Sequence, residues 1–485
     1  MRIKGKNNEN ILWYTVTPFF LHLLRVLNSI ILARLILPSE FGLLAVGLVI
    51  FHYSNTFTSF GIPNAIINEK YVTDRYYSEF FSFNFLISSV LCSAMFLNAE
   101  LIGDFFNMEA LSEKLKPLAL MFLVSSLTIV PFTYHKKKMS FKFLAIAEII
   151  KVFFTMMVSL TLASNGFQSW SIIYATIIAN IIYYLILGYS SPLKVQLTFD
   201  FSCLRRLLRF SLWDFLWGQT KLLSENFDKL YIGKMIGASG LGYYDKGYGF
   251  SKMPYEQLSS RLSVVSFSTI SSLYNSNEHY ERYFYKSFSI NCLIIFPVFM
   301  GLLAISEIFT VVLLGELWKE MIPCLQILSI AYLFASLMES FSSLNMATGL
   351  IGEQAKIRLI SLLIFVFSIL FIMPSSIVGM AVCVACLNGL LFVSSLTLSL
   401  RKNRVNLSRV TSIIIAPLLI SLVMYFVIRF YLEQFDGDYS FHMLGLSTLI
   451  GFLVYAFSCF ICPFEELDQF KSLLKVYGKG FFSRS

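Results

Sequence analysis

The chain contains fourteen runs of about 20 predominantly apolar residues, separated by short polar loops. A bilayer hydrocarbon core about 30 Å thick needs about 20 such residues to be crossed by a helix. Only 14% of the 485 residues are charged, whereas soluble globular domains carry about 25% charged residues. These features predict an all-α polytopic membrane protein. They argue against three other classes of protein: a soluble enzyme, a secreted disulfide-bonded protein and a disordered scaffold.

The predicted spans cover most of the chain. They are residues 12–37, 41–64, 78–98, 115–135, 139–164, 168–190, 210–236, 240–273, 286–314, 321–348, 356–374, 376–400, 409–432 and 443–463. The seventh and eighth are the most polar. The first is long, polar-studded and lacks a small-residue cleavage site, so it is predicted to be retained.

The loops between the spans are too short for a soluble catalytic or nucleotide-binding domain, since domains need about 50 residues or more. We therefore expect no enzymatic activity and no cofactor. Two C-x-x-C pairs, Cys383/Cys386 and Cys459/Cys462, lie inside apolar runs with no histidine nearby. They are predicted to pack in the core rather than bind a metal or act in redox chemistry.

Successive loops are alternately rich and poor in lysine and arginine. If the N-terminus is cytoplasmic, the loops on that side collect 25 of the 38 basic residues and the opposite loops hold 4. This asymmetry follows the positive-inside rule and predicts cytoplasmic N- and C-termini. The net charge of +9 therefore arises from membrane topology, and no nucleic-acid partner is expected.

An internal repeat relates residue n to residue n+200. Arg34–Ile36 aligns with Lys234–Ile236, and Gly42 aligns with Gly242, each after the first span of a half. The match predicts two six-helix halves of the same orientation, a transporter architecture. The predicted organisation is an N-terminal lobe at 1–190, a cytoplasmic basic linker at 191–209, a C-terminal lobe at 210–400, two further spans at 401–463 and a cytoplasmic tail at 464–485.

The seventh span carries four charged residues at spacings that place them within about 60° of one another on a helix. They are Asp214, Lys221, Glu225 and Asp228. A charge at mid-bilayer costs about 2.5–3.5 kcal/mol on insertion scales, so these side chains are expected to face protein or water. Pairs such as Lys221 and Glu225 have an alternative interpretation as buried ion pairs that fix helix register.

Arg25 lies near the middle of the first span with no acidic residue within one turn. Its counter-charge must therefore come from another helix or from a ligand. Such cations suit the phosphate-like group of a large amphiphilic anion, and the carboxylates could pair with them or carry protons or Na⁺. The predicted substrate-binding residues are His22, Arg25, Lys151, Lys221, Lys229, Lys246 and Arg261. The predicted ion-coupling residues are Glu148, Asp214, Glu225 and Asp228. Aromatic residues such as Phe80 and Tyr183 are predicted to face lipid or to form belts at the membrane interface.

The segment Ile31–Leu43, ILARLILPSEFGL, resembles the end of the first span in polysaccharide-transport flippases. These are bacterial members of the multidrug/oligosaccharidyl-lipid/polysaccharide exporter superfamily and include O-antigen and colanic-acid types. Three further stretches are similar to that family: Phe227–Gly233 running to Leu241–Tyr244, Met253–Ser259, and Ala147–Glu148 after the basic loop 136–142. The resemblance covers about residues 10–480 and is strongest over the first eight spans.

The resemblance implies a two-lobed bundle with a central cavity in the bacterial cytoplasmic (inner) membrane. It implies transport of an undecaprenyl-pyrophosphate-linked oligosaccharide to the outer leaflet, by alternating access coupled to H⁺ or Na⁺. Surface polysaccharides such as O-antigen, capsule or exopolysaccharide would be the products, with the polymerase and chain-length machinery as further partners. By this resemblance, the residues expected to line the cavity are Arg25, Glu148, Asp228, Lys229 and Lys246. Asp245 departs from the family pattern, which leaves the role of Lys246 open.

Two other classes remain as alternatives. A multidrug or cation antiporter of the same superfamily would favour an acidic cavity with few unpaired cations, and Arg25 argues against it. A membrane-embedded glycan polymerase would need a large outer loop with catalytic groups. The first outer loop here is merely Pro38-Ser39-Glu40.

Overall fold

A computed structural model of the protein describes residues 2–198, 200, 202–276, 278–403, 405–435 and 439–461. For residues 2–12, 14–16, 206–210, 213, 214, 216, 217, 220 and 221 it describes the backbone only. The described residues form helices joined by short connections, and none of them forms a strand. The predicted all-α class is therefore confirmed.

Seventeen α-helices occur in these ranges. They are α1 (Arg2–Leu35), α2 (Pro38–Ser59), α3 (Ile62–Asn68), α4 (Asp74–Leu97), α5 (Ala99–Phe106), α6 (Glu109–Lys137), α7 (Phe141–Ser164), α8 (Trp170–Tyr189), α9 (Ser202–Met235), α10 (Ala238–Pro254), α11 (Ser260–Asn275), α12 (Tyr280–Phe309), α13 (Ile322–Ala347), α14 (Ile351–Ile372), α15 (Ile377–Lys402), α16 (Leu407–Leu432) and α17 (Phe441–Ile461).

Twelve helical segments in the described part of the chain are long and apolar enough to cross a membrane. They coincide with twelve of the fourteen predicted spans. The other two, the polar seventh and eighth spans, are also helical: the seventh is α9, and the eighth is α10 and α11 joined by a π-helical turn at Tyr255–Ser259. Their charged residues explain why hydropathy alone does not mark them.

The chain divides into two compact units, residues 1–242 and 243–485. In the first unit α6 packs against α2, α4, α5 and α8, and α7 packs against α1 and α8. Leu111, Leu115 and Phe122 are fully buried on α6. Their spacing places them along one helical face, as expected for a helix that faces a core. The pairing of α1 with α7 brings together two helices with predicted site residues.

In the second unit α13 packs against α11, α12, α14 and α15, and α12 packs against α16 and α17. Asn345 joins three of these helices. Its amide donates to Gln354 Oε1 at 3.2 Å and to the Ser395 carbonyl at 3.1 Å, and its oxygen accepts the Ser399 hydroxyl at 2.7 Å. All four residues are buried. Such mutual bonding is required because hydrocarbon offers no water to polar groups.

The boundary between the compact units lies at 242/243, so α9 and the first turn of α10 belong to the first unit. In the sequence repeat, by contrast, α9 is the first span of the second half. The lobe boundaries drawn from the repeat stay a prediction.

Candidate functional site

Arg25 on α1 pairs with Glu148 on α7. The guanidinium Nη2 lies 2.8 Å from Glu148 Oε1, and the side chains remain 55% and 26% exposed. The expected counter-charge thus comes from another helix, 123 positions away in sequence. A predicted substrate-binding cation and a predicted ion-coupling carboxylate therefore form one accessible ion pair.

Lys151 lies one helical turn after Glu148 and extends this pair. Its Nζ sits 4.8 Å from the centre of the Tyr183 ring on α8, a cation–π contact. Glu148 attracts the Lys151 ammonium and Arg25 repels it. We call Arg25, Glu148 and Lys151 with the Tyr183 ring the Arg25 cluster. It holds two cations and one carboxylate, so it carries one uncompensated positive charge.

Tyr183 corrects one expectation from the sequence. Its residue type predicts that it faces lipid, but it is 5% exposed and lies beneath Lys151, and Phe80 is fully buried in the core around α4. Aromatic residues in a span do not reveal by type whether they meet lipid or protein, and only the packing of α7 on α8 assigns Tyr183 to the interior.

The polar residues of α9 meet α2. Gln219 Nε2 donates to the Thr56 hydroxyl, and the positive charge of Lys229 acts on His52. Asp228 is 3% exposed and accepts the backbone N–H of Lys229 at 2.9 Å. The burial of Asp228 agrees with the expectation for that residue, and the expectation for the other charged residues of this span stays a prediction.

The remaining predicted residues of the first unit lie on α1 and α9. Glu225 is half-buried on α9, and His22 is half-buried on α1. The side chains of Asp214 and Lys221 lie outside the described residues. The predicted Lys221–Glu225 pair therefore stays a prediction.

In the second unit the charged residues gather where α10 meets α11. The π-helical turn Tyr255–Ser259 follows Pro254, and such turns frequently mark functional sites. The Tyr255 hydroxyl donates to Glu339 Oε2 at 3.1 Å, and Arg358 Nη2 lies 3.8 Å from the same oxygen. Lys252 and Glu256 pair across the turn at 3.2 Å.

Arg261, half-buried on the first turn of α11, differs from these neighbours. It has no hydrogen bond, ion pair or ring contact with any other described residue. An ionisable residue in a membrane span ordinarily finds a partner or faces a cavity. Lys246 on α10 is buried and is attracted by the adjacent Asp245, so the residue that departs from the family pattern compensates its charge in part.

The second unit also contains a cavity of about 940 Å³. It is lined by α10, α12, α16 and α17, through residues such as Pro297, Gly301, Phe452 and Tyr455. The Tyr455 hydroxyl is engaged, since it donates to the Leu293 carbonyl at 2.8 Å. Its walls are almost wholly apolar, and the volume is at the upper end of the range of about 300–1,000 Å³ for small-molecule sites.

Sequence inspection missed an ion pair between a buried lysine and a partly buried glutamate, at the N-terminal end of α2, which is predicted to face outward. Lys114 is 5% exposed, lies 3.3 Å from Glu40 and covers the Trp170 ring at 4.2 Å. Ser169 donates to the same Glu40 carboxylate. Both charges fall in predicted outer loops, and no local signal indicates that they meet, because Glu40 lies on α2, Lys114 on α6, and Ser169 and Trp170 at the beginning of α8.

No group of three or more histidine, cysteine or carboxylate side chains suited to a metal occurs among the described residues. The described cysteines, Cys383, Cys386 and Cys459 among them, are free thiols.

The chain is similar in sequence to proteins named for polysaccharide biosynthesis and in fold to a solved membrane protein. The chain is 26% identical over 76% of its length, and 75% of the relative's, to the lipopolysaccharide biosynthesis protein WzxC of Escherichia coli (strain K12). It is 21% identical over 92% of its length, and 91% of the relative's, to the succinoglycan biosynthesis transport protein ExoT of Rhizobium meliloti (strain 1021). Its fold matches the lipid II flippase MurJ in an inward closed conformation with a TM-score of 0.74, at 17% identity over 92% of this chain and 98% of that one.

The family model described as polysaccharide biosynthesis protein matches residues 31–323, more than half of the chain. That range includes α2 to α12, with Glu148, Asp228 and Arg261, and the segments that resemble polysaccharide flippases in sequence lie within or at the edge of it. This multi-pass membrane protein belongs to the polysaccharide biosynthesis protein family.

Proposed function

We propose that this protein is a flippase that moves a polyprenyl-diphosphate-linked oligosaccharide across the bacterial cytoplasmic membrane for surface polysaccharide synthesis, with both termini in the cytoplasm. The observation that carries the proposal is the Arg25 cluster, in which two cations share one carboxylate. A net positive, accessible site in membrane-spanning helices has to be compensated by an anion. A diphosphate meets this requirement, and arginine binds phosphate through paired hydrogen bonds.

The relatives support the polysaccharide part of the cargo, since the names of WzxC and ExoT refer to lipopolysaccharide and succinoglycan biosynthesis. The name of the structural neighbour, lipid II flippase, supports a lipid-linked substrate. In the second unit, Arg261 has no partner among the described residues, and we propose it as a separate candidate contact for an anionic group.

The apolar cavity of the second unit suits the lipid part. Its walls have almost nothing to which a sugar could hydrogen-bond, and an apolar space inside a bilayer is filled by hydrocarbon. We therefore propose that this cavity of about 940 Å³ accommodates part of a polyprenyl chain.

Glu148 gives the site a way to couple transport to an ion. In the absence of cargo it neutralises Arg25 at 2.8 Å. When the diphosphate binds Arg25, Glu148 loses this partner and keeps Lys151 nearby. We propose that H⁺ or Na⁺ binds Glu148 in that state and that its release restores the Arg25–Glu148 pair. Asp228, Glu225 and Asp214 remain further candidates for this role.

A drug or cation antiporter would share this fold, yet it would need a site with an excess of carboxylates. The Arg25 cluster has an excess of cations, and we therefore favour the flippase. We further propose that the protein is not an enzyme and that it works with the polymerase and chain-length proteins of the same pathway.

The test is restoration of surface glycan in bacteria that lack their own polysaccharide flippase. Wild type, Arg25→Ala and Arg25→Lys are compared at equal membrane levels in several hosts with different glycans. We expect wild type to restore glycan, Arg25→Ala to fail, and Arg25→Lys to restore part of it, because lysine keeps the charge but loses the planar fork.

Lys356→Ala is the matched control, since Lys356 is an exposed cation that pairs with Glu353 on its own helix at 3.1 Å. It should behave as wild type. Full restoration by Arg25→Ala would show that the cation is not required. Failure of wild type in every host, despite correct insertion, would refute the flippase proposal.

A further inference from the structure

The position of α9 is unusual for its place in the sequence. By the n+200 repeat it is the first span of the second half, as α1 is of the first. In the structure it lies in the first compact unit and packs against α2, α3, α4 and α5. Helix α9 therefore packs on helices of the first half, although the repeat assigns it to the second.

The first turn of α9 is held by a carboxylate from α4. Glu79 is 1% exposed, and its Oε2 accepts the backbone N–H groups of Cys203 at 2.9 Å and Leu204 at 3.0 Å. The first amides of a helix have no partner within the helix, and a negative charge at that end is stabilising. Glu79 thus caps α9 from another helix.

The segment that leads into α9 lies along α4 as well. Ser78 and Ser82, one turn apart, accept the backbone N–H groups of Gln196 at 3.2 Å and Thr198 at 2.8 Å. Leu193 packs against the apolar cluster around Phe80. The predicted basic linker is therefore not a free tether over residues 191–198.

Arg75 closes the arrangement. Its guanidinium donates to Glu79 at 3.0 Å, to the Ser202 hydroxyl at 2.8 Å and to Asp200. The backbone N–H and hydroxyl of Ser202, together with Arg75, lower the pKa of Asp200 below its ordinary value, so this carboxylate is charged near neutral pH. We call Arg75, Ser78, Glu79 and Ser82 with the described residues 196–198, 200 and 202–204 the clasp.

Two properties suit the clasp to opening. Arg75 and Asp200 are 56% and 57% exposed, and exposed pairs contribute little net stability because water replaces them readily. Glu79 keeps Arg75 as a partner one turn away when α9 leaves, so opening does not strand its charge. Leu204 is also buried in the apolar cluster around Phe80, so opening has to separate these contacts as well.

We infer that the clasp is a releasable latch that holds the beginning of α9 on α4 in one state of the transport cycle and must open for α9 to move with the second half. The inference rests on the proposed function, since transporters with parallel repeats work by movement of one half against the other. It adds a specific element that moves and the contacts that restrain it.

The test is a reversible lock. Arg75→Cys and Ser202→Cys are joined by a short reducible bis-thiosulfonate, which spans the distance covered by the arginine side chain in wild type. The background carries Cys203→Ser, so that the reagent does not react with the neighbouring thiol. Newly made surface glycan is measured in flippase-deficient cells before linking, after linking and after reduction. We expect linking to lower transport at least about 10-fold and reduction to restore it.

The matched control joins Lys116→Cys and Glu100→Cys with the same reagent. These residues form an exposed pair at 3.4 Å between α5 and α6, within the first unit, and linking them should leave transport unchanged. Equal transport by the locked and reduced forms of the Arg75/Ser202 pair would overturn the latch. Loss of glycan with wild type itself would instead count against the proposed function, so the two failures are distinguishable.

A second measurement does not depend on the cross-link. In Ser78→Ala/Ser82→Ala, loss of the hydroxyl acceptors should speed amide hydrogen exchange of Gln196 and Thr198 by about 5-fold each, as expected for one hydrogen bond. Transport by this variant should be at least equal to wild type, since a weaker latch opens more readily. A slower rate at matched membrane levels would identify the clasp as a static support.

Discussion

Gly42 and Gly242, aligned by the sequence repeat, make the same contact with each other's helix. A Cβ at Gly42 would overlap the carbonyl oxygen of Ala238, and a Cβ at Gly242 would overlap that of Pro38. Each glycine therefore lies against the residue four positions before the other. A reciprocal contact of this kind is characteristic of a two-fold relationship, here between the first turns of α2 and α10.

Gly42→Ala should be destabilising, because the obstacle to its methyl group is backbone and cannot rotate away. We expect a loss of about 1–3 kcal/mol in the free energy of unfolding, the usual effect of overpacking. Thermal unfolding of the purified protein in detergent measures it. Gly249→Ala on α10 is the control, since a Cβ there meets no atom within 4 Å. If both variants unfold at the same temperature as wild type, the contact between α2 and α10 is not tightly packed.

Glu148→Gln should strengthen anion binding and slow transport. The amide keeps the shape of the carboxylate but leaves Arg25, otherwise paired at 2.8 Å, free for a phosphate. We expect undecaprenyl pyrophosphate to bind about 10-fold more tightly, in keeping with one charge-assisted hydrogen bond. Ligand-dependent thermal shifts provide the measurement, with Glu353→Gln as an exposed control. Weaker binding would mean that Glu148 supports the anion site instead of competing with it.

Lys114→Ala should lower stability by about 1–2 kcal/mol, because it removes the buried lysine of a pair and leaves the partly buried Glu40 poorly compensated. The contact of Lys114 with the Trp170 ring is lost as well. Lys116→Ala, two residues along α6, removes an exposed pair and should change stability by less than about 0.5 kcal/mol. Equal effects in denaturation experiments would show that burial of Lys114 does not matter.

Gly301→Leu should reduce transport of a long-chain cargo by about 10-fold, since its side chain would extend into the apolar cavity that we assign to the polyprenyl chain. Binding of a water-soluble diphosphate headgroup should be unchanged. Gly352→Leu on α14, where a Cβ meets nothing within 4 Å, serves as the control. Undiminished transport by Gly301→Leu would show that the cavity does not accommodate the lipid chain during transport.

Hydropathy and charge, read along the chain, were enough to predict the all-α class, twelve spans that the structure reproduces and two more polar helices. These properties are local: a run of about 20 apolar residues is a span wherever it packs. The resemblance of the segments around Ile31–Leu43 and Phe227–Gly233 likewise indicated the family, because a short motif can be recognised from adjacent residues without the tertiary structure.

The partners of the charged residues were decided only by the tertiary structure. Arg25 and Glu148 stand 123 positions apart, and Arg75 meets Asp200 across 125. Each residue was visible as a charge in the sequence, but whether it meets an opposite charge, an aromatic ring or nothing depends on which helices pack together. The sequence determined where charges enter the membrane, and the packing of α1 on α7 and of α4 on α9 decided which of them are neutralised, because Coulomb and hydrogen-bond contacts act over a few ångströms of space and not along the chain.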